Sequence, residues 1–326
     1  MFVNRTICIA VVLVASTVAP AVAMAADESA AAADDCRALE NDSERLRCYD
    51  ERAGAPGAAA ATPALTRRIE KEQDLARRAF AIVPNRPNYL LFSYMHEPNV
   101  APFLASDPQT DFEHQEIKFQ ISFTVPLWNR MFGDNGDLWF GYTQLSFWQA
   151  LNWARSAPFR ETDYEPEFGF SWRANFPLLG LEHRRLSFGV SHQSNGQGDP
   201  LSRSWNRMWV RSELERGNFA LSLKPWMRIP ESAASDNNPD IADFMGRMEL
   251  RLVYRYHDAM VFSLALHNSL RGASDNHSGY ELDWSFPFSK RIKGLVQFYN
   301  GYGESLIDYN FWMRRVGAGV LVEDWL

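Results

Sequence analysis

The stretch that decides the fold is HQEIKFQISFTVPLW, residues 114–128. Every odd position from Ile117 to Leu127 is apolar, and the even positions from Lys118 to Thr124 are polar. Strict alternation over a run of this length is the pattern of a β-strand, because successive side chains of a strand point to opposite faces. The stretch therefore predicts a strand with one apolar and one polar face.

The same alternation returns along most of the chain beyond Tyr89. Around residue 250, apolar residues at even positions alternate with charged residues at odd positions, as in Met248, Leu250 and Leu252 against Arg247, Glu249 and Arg251. This pattern predicts twelve strands of roughly ten residues each. They lie near 88–98, 114–127, 137–150, 166–176, 181–194, 203–216, 218–228, 246–257, 260–270, 278–288, 291–303 and 313–326.

An even number of such strands, with aromatic residues at many strand ends, is typical of an outer-membrane barrel. The polar faces carry opposite charges close together, and aromatic residues such as Trp139, Trp148 and Trp284 cluster in the strands. A soluble sandwich is the alternative, but it seldom needs so many long strands. The fold class is therefore predicted to be all-β, a twelve-stranded antiparallel transmembrane β-barrel.

The residues before the strands suggest export. Residues 1–25 carry a basic residue, an apolar stretch and small residues at their end, which is the layout of a cleavable secretory signal. The apolar part is short and runs into Pro20, which disfavours a membrane anchor. Of three cysteines in the chain, Cys36 and Cys48 would remain in the mature protein. In an oxidising periplasm such a pair favours a structural disulfide.

Three further segments follow the signal. Residues 26–52 are expected to form a small helical, disulfide-stapled periplasmic segment. Residues 53–82 are expected to combine an Ala/Pro-rich linker with a short polar helix, TRRIEKEQDLARRAF at 66–80. The linker, AGAPGAAAATPAL at 53–65, has too little large apolar side chain to build a core. Residues 83–326 are expected to form the barrel.

The stretch SHQSNGQGDPLSRSWNR, residues 191–207, carries the candidate chemistry. His192 and Ser194 continue the even-numbered apolar face of their strand, and Asn206 belongs to the even-numbered apolar face of the next strand. The residues that define those faces are Leu186, Phe188, Val190, Met208 and Val210. A face that meets lipid normally excludes polar groups, so three of them together point to function.

A hairpin centred near Asp199 and Pro200 would place Asn206 roughly opposite His192, with Ser194 one pleat along the same face. Ser194 would then be the nucleophile, His192 the general base, and Asn206 the residue that orients the imidazole. A neutral amide suits a lipid-facing surface, where an ionised carboxylate would be costly. The alternative interpretation is a structural hydrogen bond between a histidine and a serine.

Several motifs together resemble the outer-membrane phospholipase A family, over about residues 83–326. The motifs are HQSNGQGDPLSRSWNR at 192–207, APFRETDYEPE at 157–167, GYTQLSFWQ at 141–149, KPW at 224–226 and DNNPDI at 236–241. The resemblance implies hydrolysis of the sn-1 and sn-2 acyl esters of glycerophospholipids at the surface of an outer-membrane barrel. It also implies a homodimer when active, one Ca²⁺ per subunit, contact with outer-membrane lipid, and no nucleic-acid partner.

Site residues follow from the resemblance position by position. His192, Ser194 and Asn206 match the family's catalytic group. The implied calcium contacts are the backbone carbonyl of Gln197, the hydroxyl of Ser202, Ser156 of a partner subunit, and Asn237. Asp236 is an alternative to Asn237. The bound cation and the backbone amide of Gly196 would together stabilise the oxyanion that develops on the substrate carbonyl. Gln144 resembles a dimer contact, although an inward polar position is also open for it. An inert channel or structural barrel, and a soluble exported esterase, remain the competing functions.

Overall fold

The computed structural model describes residues 41–45, 62–78, 80–256, 260–272, 275–289 and 292–326. The chain divides into two units, residues 1–61 and 62–326. In the first unit, residues 42–45 are helical. The predicted signal peptide at 1–25 and the predicted disulfide between Cys36 and Cys48 lie outside the described residues.

The second unit contains one antiparallel sheet of thirteen strands, twelve of which close into a barrel. The two-residue strand β1 pairs with β3 beside the barrel, and the ring is closed because β2 pairs with β13 while β3 pairs with β4. The strands are β1 (Val83–Pro84), β2 (Asn88–Met95), β3 (Gln115–Trp128), β4 (Asp137–Trp148), β5 (Phe159–Leu178), β6 (Leu181–Ser194), β7 (Ser204–Arg216), β8 (Phe219–Ile229), β9 (Met248–Tyr256), β10 (Met260–Asn268), β11 (Ser278–Pro287), β12 (Lys293–Gly301) and β13 (Met313–Glu323). The predicted twelve-stranded antiparallel barrel is confirmed.

Among the described residues of the second unit, two α-helices accompany the barrel, α1 (Ala64–Ala76) and the one-turn α2 (Ile241–Phe244). In the described ranges, no helix combines the length and the apolar character that a membrane span requires.

The two faces of the barrel wall differ as the alternation predicts. Large apolar side chains are exposed on the outer face, among them Leu90, Phe92, Ile121, Phe168, Phe188, Val210, Phe262, Leu282 and Val316. The inner face carries buried ion pairs. Arg160 and Arg315 lie 2.6 and 2.9 Å from carboxylate oxygens of Glu116, and Lys118 Nζ lies 3.1 Å from Glu304. Buried charges of this kind are tolerated because they are paired and hydrogen-bonded.

The barrel has a loop end and a turn end. The connections at the loop end are long and include 149–158, 195–203, 230–247 and 302–312, whereas the turn end has short connections such as 179–180. The loop at 302–312 folds inward: the backbone amides of Leu306 and Ile307 donate to Asp163 and Glu161 at 3.1 and 3.2 Å. This loop fills part of the barrel mouth at the loop end.

Helix α1 packs at the turn end. Its residues Leu65 and Ile69 join a buried apolar cluster with Ala220 and Val253 of the barrel wall. The backbone amide of Leu65 donates to the carboxylate of Glu215 at 3.0 Å, which satisfies an amide at the helix N-terminus. A cavity of about 560 Å³ lies in the lumen, lined by α1 and by charged residues of the inner face.

Candidate active site

His192 and Ser194 lie at the end of β6, and Asn206 lies near the start of β7, so the hairpin that joins these strands carries all three. In the β6–β7 ladder, His192 is directly opposite Asn206 and Ser194 is opposite Ser204. Their outward neighbours Val190 and Met208 are exposed. The three predicted polar residues therefore share the outer face of the barrel at its loop end.

The imidazole of His192 contacts the amide of Asn206. His192 Nδ1 lies 2.9 Å from Asn206 Oδ1. An amide oxygen only accepts a hydrogen bond, so this contact requires the proton on Nδ1 and leaves the Nε2 lone pair available as a base. Ser194, the next outward residue along β6, is the neighbouring hydroxyl on this face.

A residue that the sequence analysis missed completes this contact. The second edge of the Asn206 amide donates through Nδ2 to Glu231 Oε1 at 3.0 Å. Glu231 lies in the 230–247 connection, two residues after the end of β8. The imidazole, amide and carboxylate thus form one hydrogen-bonded chain across β6, β7 and the end of β8.

The connection at 195–203 is organised by the buried side chain of Asn195. Its Oδ1 accepts from the backbone amides of Gln197 and Arg203 at 3.3 and 3.0 Å, and its Nδ2 donates to the carbonyl of Leu201 at 2.9 Å. An Asn that bonds the backbone two residues ahead is a common turn-forming device, and here it shapes the whole loop. Gly196 follows in a left-handed conformation, with φ of 66°.

The DNNPDI stretch is tied to the same hairpin by Asn238. The fully buried Asn238 side chain accepts from the amide of Ser204 at 3.0 Å and donates to its carbonyl at 2.9 Å. Tyr309 Oη donates to Asp240 at 2.7 Å, and burial together with that carboxylate raises the pKa of Tyr309, so this donor stays protonated. These bonds hold the 236–241 stretch beside the start of β7.

Three of the predicted calcium contacts are gathered here. Gln197 and Ser202 share the 195–203 loop, and Asn237 Nδ2 donates to Asp199 of that loop at 3.0 Å. Asp236, in contrast, pairs with Arg228 at 2.7 Å. Of the two alternatives in the DNNPDI stretch, Asn237 is thus the one bonded to the 195–203 loop, and its partner Asp199 is a carboxylate that the sequence analysis did not single out.

The donor set fits Ca²⁺, since backbone carbonyl, hydroxyl, amide and carboxylate oxygens are the ligands that this hard cation prefers. Among the described residues, no group of three or more His, Cys, Asp or Glu side chains is arranged to hold a metal. A calcium site here would consequently depend on backbone and neutral oxygens more than on carboxylates.

Ser156 lies in a different loop-end connection, 149–158. It follows the 3₁₀ turn Trp153–Arg155, is exposed, and has a left-handed backbone with φ of 61°. The structure therefore places Ser156 in an exposed part of the loop end of the barrel.

Gln144 lies on the outer face, so the inward alternative is wrong. It is opposite Ile121 of β3 on one side and Tyr164 of β5 on the other, and Tyr164 is in turn opposite Ser194. Gln144 accepts a bond from Tyr142 at 3.3 Å and donates to Ser146 at 3.1 Å. One row of outward residues thus leads from Gln144 through Tyr164 to Ser194.

Comparison with known proteins identifies the family of this chain. A profile of the phospholipase A1 family matches residues 65–322. The chain belongs to the phospholipase A1 family. Curated phospholipase A1 sequences of Escherichia coli K12 and Klebsiella pneumoniae are both 38% identical to it over 245 residues, which are 75% of this chain and 82% and 83% of those proteins.

Solved structures of this family have the same barrel. The outer membrane phospholipase A of Escherichia coli is 38% identical, with a TM-score of 0.71, over 76% of this chain and all of that chain. A Salmonella typhi outer membrane phospholipase, solved as a dimer with bound calcium, is 36% identical, with a TM-score of 0.72, over 77% and 96%. Membership in the phospholipase A1 family confirms the predicted resemblance, the outer-membrane location and the assignment as a phospholipase.

Proposed function

We propose that this chain is a calcium-dependent phospholipase that hydrolyses the sn-1 and sn-2 acyl esters of glycerophospholipids on its lipid-facing surface. The observation that carries the proposal is the 2.9 Å contact between His192 and Asn206 on the outer face, beside Ser194. Family membership supports the reaction class. The outward placement explains how a membrane lipid would reach the hydroxyl without entering the barrel lumen.

The reaction would begin at the Ser194 hydroxyl. Its oxygen attacks the ester carbonyl carbon while His192 Nε2 takes the proton, and the imidazolium then protonates the departing alcohol as the acyl–oxygen bond breaks. A water, deprotonated by the same nitrogen, then attacks the acyl carbon, and the imidazolium returns the proton to the Ser194 oxygen as the acyl–oxygen bond breaks and the fatty acid leaves. Asn206 would keep the proton on Nδ1 throughout, so that Nε2 is the reacting nitrogen.

The oxyanion that develops on the carbonyl needs donors or positive charge. The backbone amide of Gly196 is the proposed donor, because it follows Ser194 closely in the loop that Asn195 shapes. Bound Ca²⁺ would add positive charge near that oxygen. Its proposed holders in one subunit are Gln197, Ser202 and Asn237, and the Asp199 carboxylate is an additional oxygen.

We further propose that the active form is a homodimer with one Ca²⁺ per subunit. The proposal is supported by the row from Gln144 to Ser194, which would place a barrel contact at Gln144 next to the active face. It is also supported by the exposure of Ser156 at the loop end, the same end of the barrel as the 195–203 loop. The Salmonella typhi relative was solved as a dimer with bound calcium.

A serine-reactive phosphonate probe tests this proposal on the full chain in detergent. Wild-type protein should be labelled at Ser194 and hydrolyse phospholipid, and Ser194→Ala should lose both properties while keeping a heat-resistant barrel. Ser204→Ala is the matched control, because Ser204 lies directly opposite Ser194 and bonds Asn238 only through its backbone in the contacts described above. Hydrolysis by Ser194→Ala would reject the proposed nucleophile.

A further inference from the structure

We infer that Glu231 is a positioning residue that fixes the orientation of the Asn206 amide and, through it, the tautomer of His192. The inference rests on the proposed function of the Ser194, His192 and Asn206 group. It is carried by one continuous chain of contacts: His192 Nδ1 to Asn206 Oδ1 at 2.9 Å, and Asn206 Nδ2 to Glu231 Oε1 at 3.0 Å.

The side-chain amide of Asn206 has two chemically different edges. One edge accepts hydrogen bonds and the other donates, and a rotation of the amide by half a turn exchanges them. If the NH₂ edge of Asn206 faced His192, Nδ1 would have to accept, the ring proton would sit on Nε2, and the base toward Ser194 would be blocked. An aspartate in this position would need no such choice, since both of its oxygens accept.

Glu231 determines which edge of the Asn206 amide faces the imidazole. An ionised carboxylate only accepts, so it pairs with the NH₂ edge and turns Oδ1 toward the imidazole. A hydrogen bond to an ionised group is also stronger than one between neutral groups. The correct tautomer of His192 is therefore set by a carboxylate that does not touch the ring.

The position of Glu231 fits this role. Ile229 is opposite Asn206 in the β7–β8 ladder, and Met227 and Ile229 are both exposed, so the odd positions at the end of β8 face outward. Glu231 lies two residues further on, past Pro230 and beyond the end of the strand. The negative charge is thus held at the loop end of the barrel, whereas the neutral amide occupies the lipid-facing strand, where a charge would cost more.

The nearby Arg228 side chain binds residues other than Glu231. Arg228 bonds Asp236 at 2.7 Å and the carbonyl of Pro239 at 2.9 Å, so its guanidinium holds the 230–247 loop. This leaves the Asn206 amide as the described partner of the Glu231 carboxylate.

The first experiment compares kcat and KM of Glu231→Gln with wild type. Gln is nearly the same size but can present either amide edge to Asn206, so kcat should fall by about 10- to 100-fold, the usual effect of losing a supporting contact. KM should stay unchanged because Glu231 is proposed to act only through Asn206 and His192. Glu231→Asp, which keeps the carboxylate on a shorter stem, should recover part of kcat. Glu97→Gln, an exposed loop-end carboxylate, is the matched control.

The second experiment repeats Glu231→Gln in the Asn206→Asp background. In that background both oxygens of the carboxylate at position 206 accept hydrogen bonds, so its orientation does not matter, and the Glu231 carboxylate repels it. Removing the charge of Glu231 should therefore leave kcat unchanged or raise it. A Glu231 that only stabilises its loop would lower kcat equally in both backgrounds. That equal loss overturns the inference, and so does wild-type kcat in Glu231→Gln.

The two proposals fail in different ways. Activity of Ser194→Ala would reject the proposed function itself, whereas an inactive Ser194→Ala combined with an unaffected Glu231→Gln would reject only the role of Glu231. If Asn206→Asp does not form a heat-resistant barrel, the two single variants Glu231→Gln and Glu231→Asp decide. A lower kcat in Glu231→Gln with unchanged KM, together with partial recovery of kcat in Glu231→Asp, supports the inference. Equal kcat values in Glu231→Gln and Glu231→Asp overturn it.

Discussion

Asn206 shows how the medium that a residue faces, lipid or water, favours one side-chain type over another. A buried aspartate usually orients the histidine of a serine hydrolase in water-soluble enzymes. Here the residue proposed for this role, Asn206, faces outward beside the exposed Met208 and Ile229, on a surface that meets lipid. Removing a carboxylate from water without a cationic partner is costly, so a neutral amide is the better orienter in this position.

Asn206→Ala should reduce kcat by about 10³- to 10⁴-fold, roughly two orders of magnitude less than Ser194→Ala, because His192 can still act as a base when poorly oriented. The measurement is hydrolysis of phospholipid in detergent micelles by both variants at equal concentrations of folded barrel. Equal losses in the two variants would contradict the roles assigned to these side chains.

The proposed mechanism uses the backbone amide of Gly196, whose left-handed conformation favours glycine. Its φ of 66° is costly for any residue with a Cβ, by about 1–2 kcal/mol, and an added Cβ would lie 3.3 Å from the ring of Tyr164. Gly196→Ala should therefore shift the proposed oxyanion amide and lower kcat at least tenfold.

The control for this prediction is Gly198→Ala in the same loop, where an added Cβ meets nothing within 4 Å. Its kcat should match wild type. Equal kcat values for Gly196→Ala and Gly198→Ala would remove the Gly196 amide from the mechanism.

Residue placement could be predicted where periodicity applied. Parity along two strands was enough to put His192, Ser194 and Asn206 on one outward face, since a strand alternates strictly. Glu231 and Asn195 could not be found in this way. They act from irregular connections, in which the path of the chain, rather than a repeating pattern, decides which side chain meets which partner.

At the scale of elements, β5 shows the largest departure from prediction. The strand was expected at 166–176, but it begins at Phe159. The stretch before 166 carries several charges and ends at Pro166, which is the composition of a loop. In the barrel those charges face the lumen and find partners there, as Arg160 does with Glu116 and Asp308. Sequence alone does not show that the interior supplies such partners.

Helix α1 illustrates the same limit. Its sequence is mostly polar and its N-cap residue is Pro63, whose side chain cannot cap. The missing acceptor comes from Glu215 of β7, which binds the amides of both Leu65 and Thr66 at 3.0 Å. A helix that is weak by itself is therefore stabilised by the barrel, as is usual for short helices.

Ile69→Ala should loosen this docking. Ile69 is buried among barrel residues, and truncating such a side chain costs about 2–5 kcal/mol. Because the loss falls on a local contact, amide hydrogen exchange within residues 66–76 should accelerate by at least about 30-fold while exchange in the barrel strands stays unchanged. Glu70→Ala, at an exposed position of the same helix, should exchange as wild type does. Uniform acceleration throughout the barrel would show that α1 does not open by itself.

At the scale of the molecule, the barrel interior is structural. Ion pairs such as Lys118 with Glu304 cross the lumen, the 302–312 loop enters one mouth, and α1 packs at the other. This arrangement suits a rigid scaffold for an outer-surface site better than an open channel. The number of strands and their closure followed from the sequence because alternation repeats in every strand. The filling of the two mouths did not, because it depends on contacts between distant residues.

The outer face also bears on how the enzyme would be controlled. A lipase whose nucleophile faces lipid would degrade its own membrane if it were always active. Two barrels that meet through flat apolar faces gain little from hydrophobic burial in lipid, so association should be weak and should depend on what binds at the interface. Calcium held by Gln197, Ser202 and Asn237 of one barrel and Ser156 of another would supply that dependence.

Chelating calcium should therefore leave folded, mostly monomeric and inactive barrels, and calcium with a substrate analogue should restore dimers and activity together. Molar mass and hydrolysis are measured in one detergent titration, with a heat-resistance assay to confirm that the barrel stays folded. Ser156→Ala should require more calcium for the same activity, whereas Ser204→Ala should titrate as wild type does. Full activity from a species that stays monomeric, or activity indifferent to chelator, would remove both calcium and dimerisation from the mechanism, because each is proposed to act only through the other.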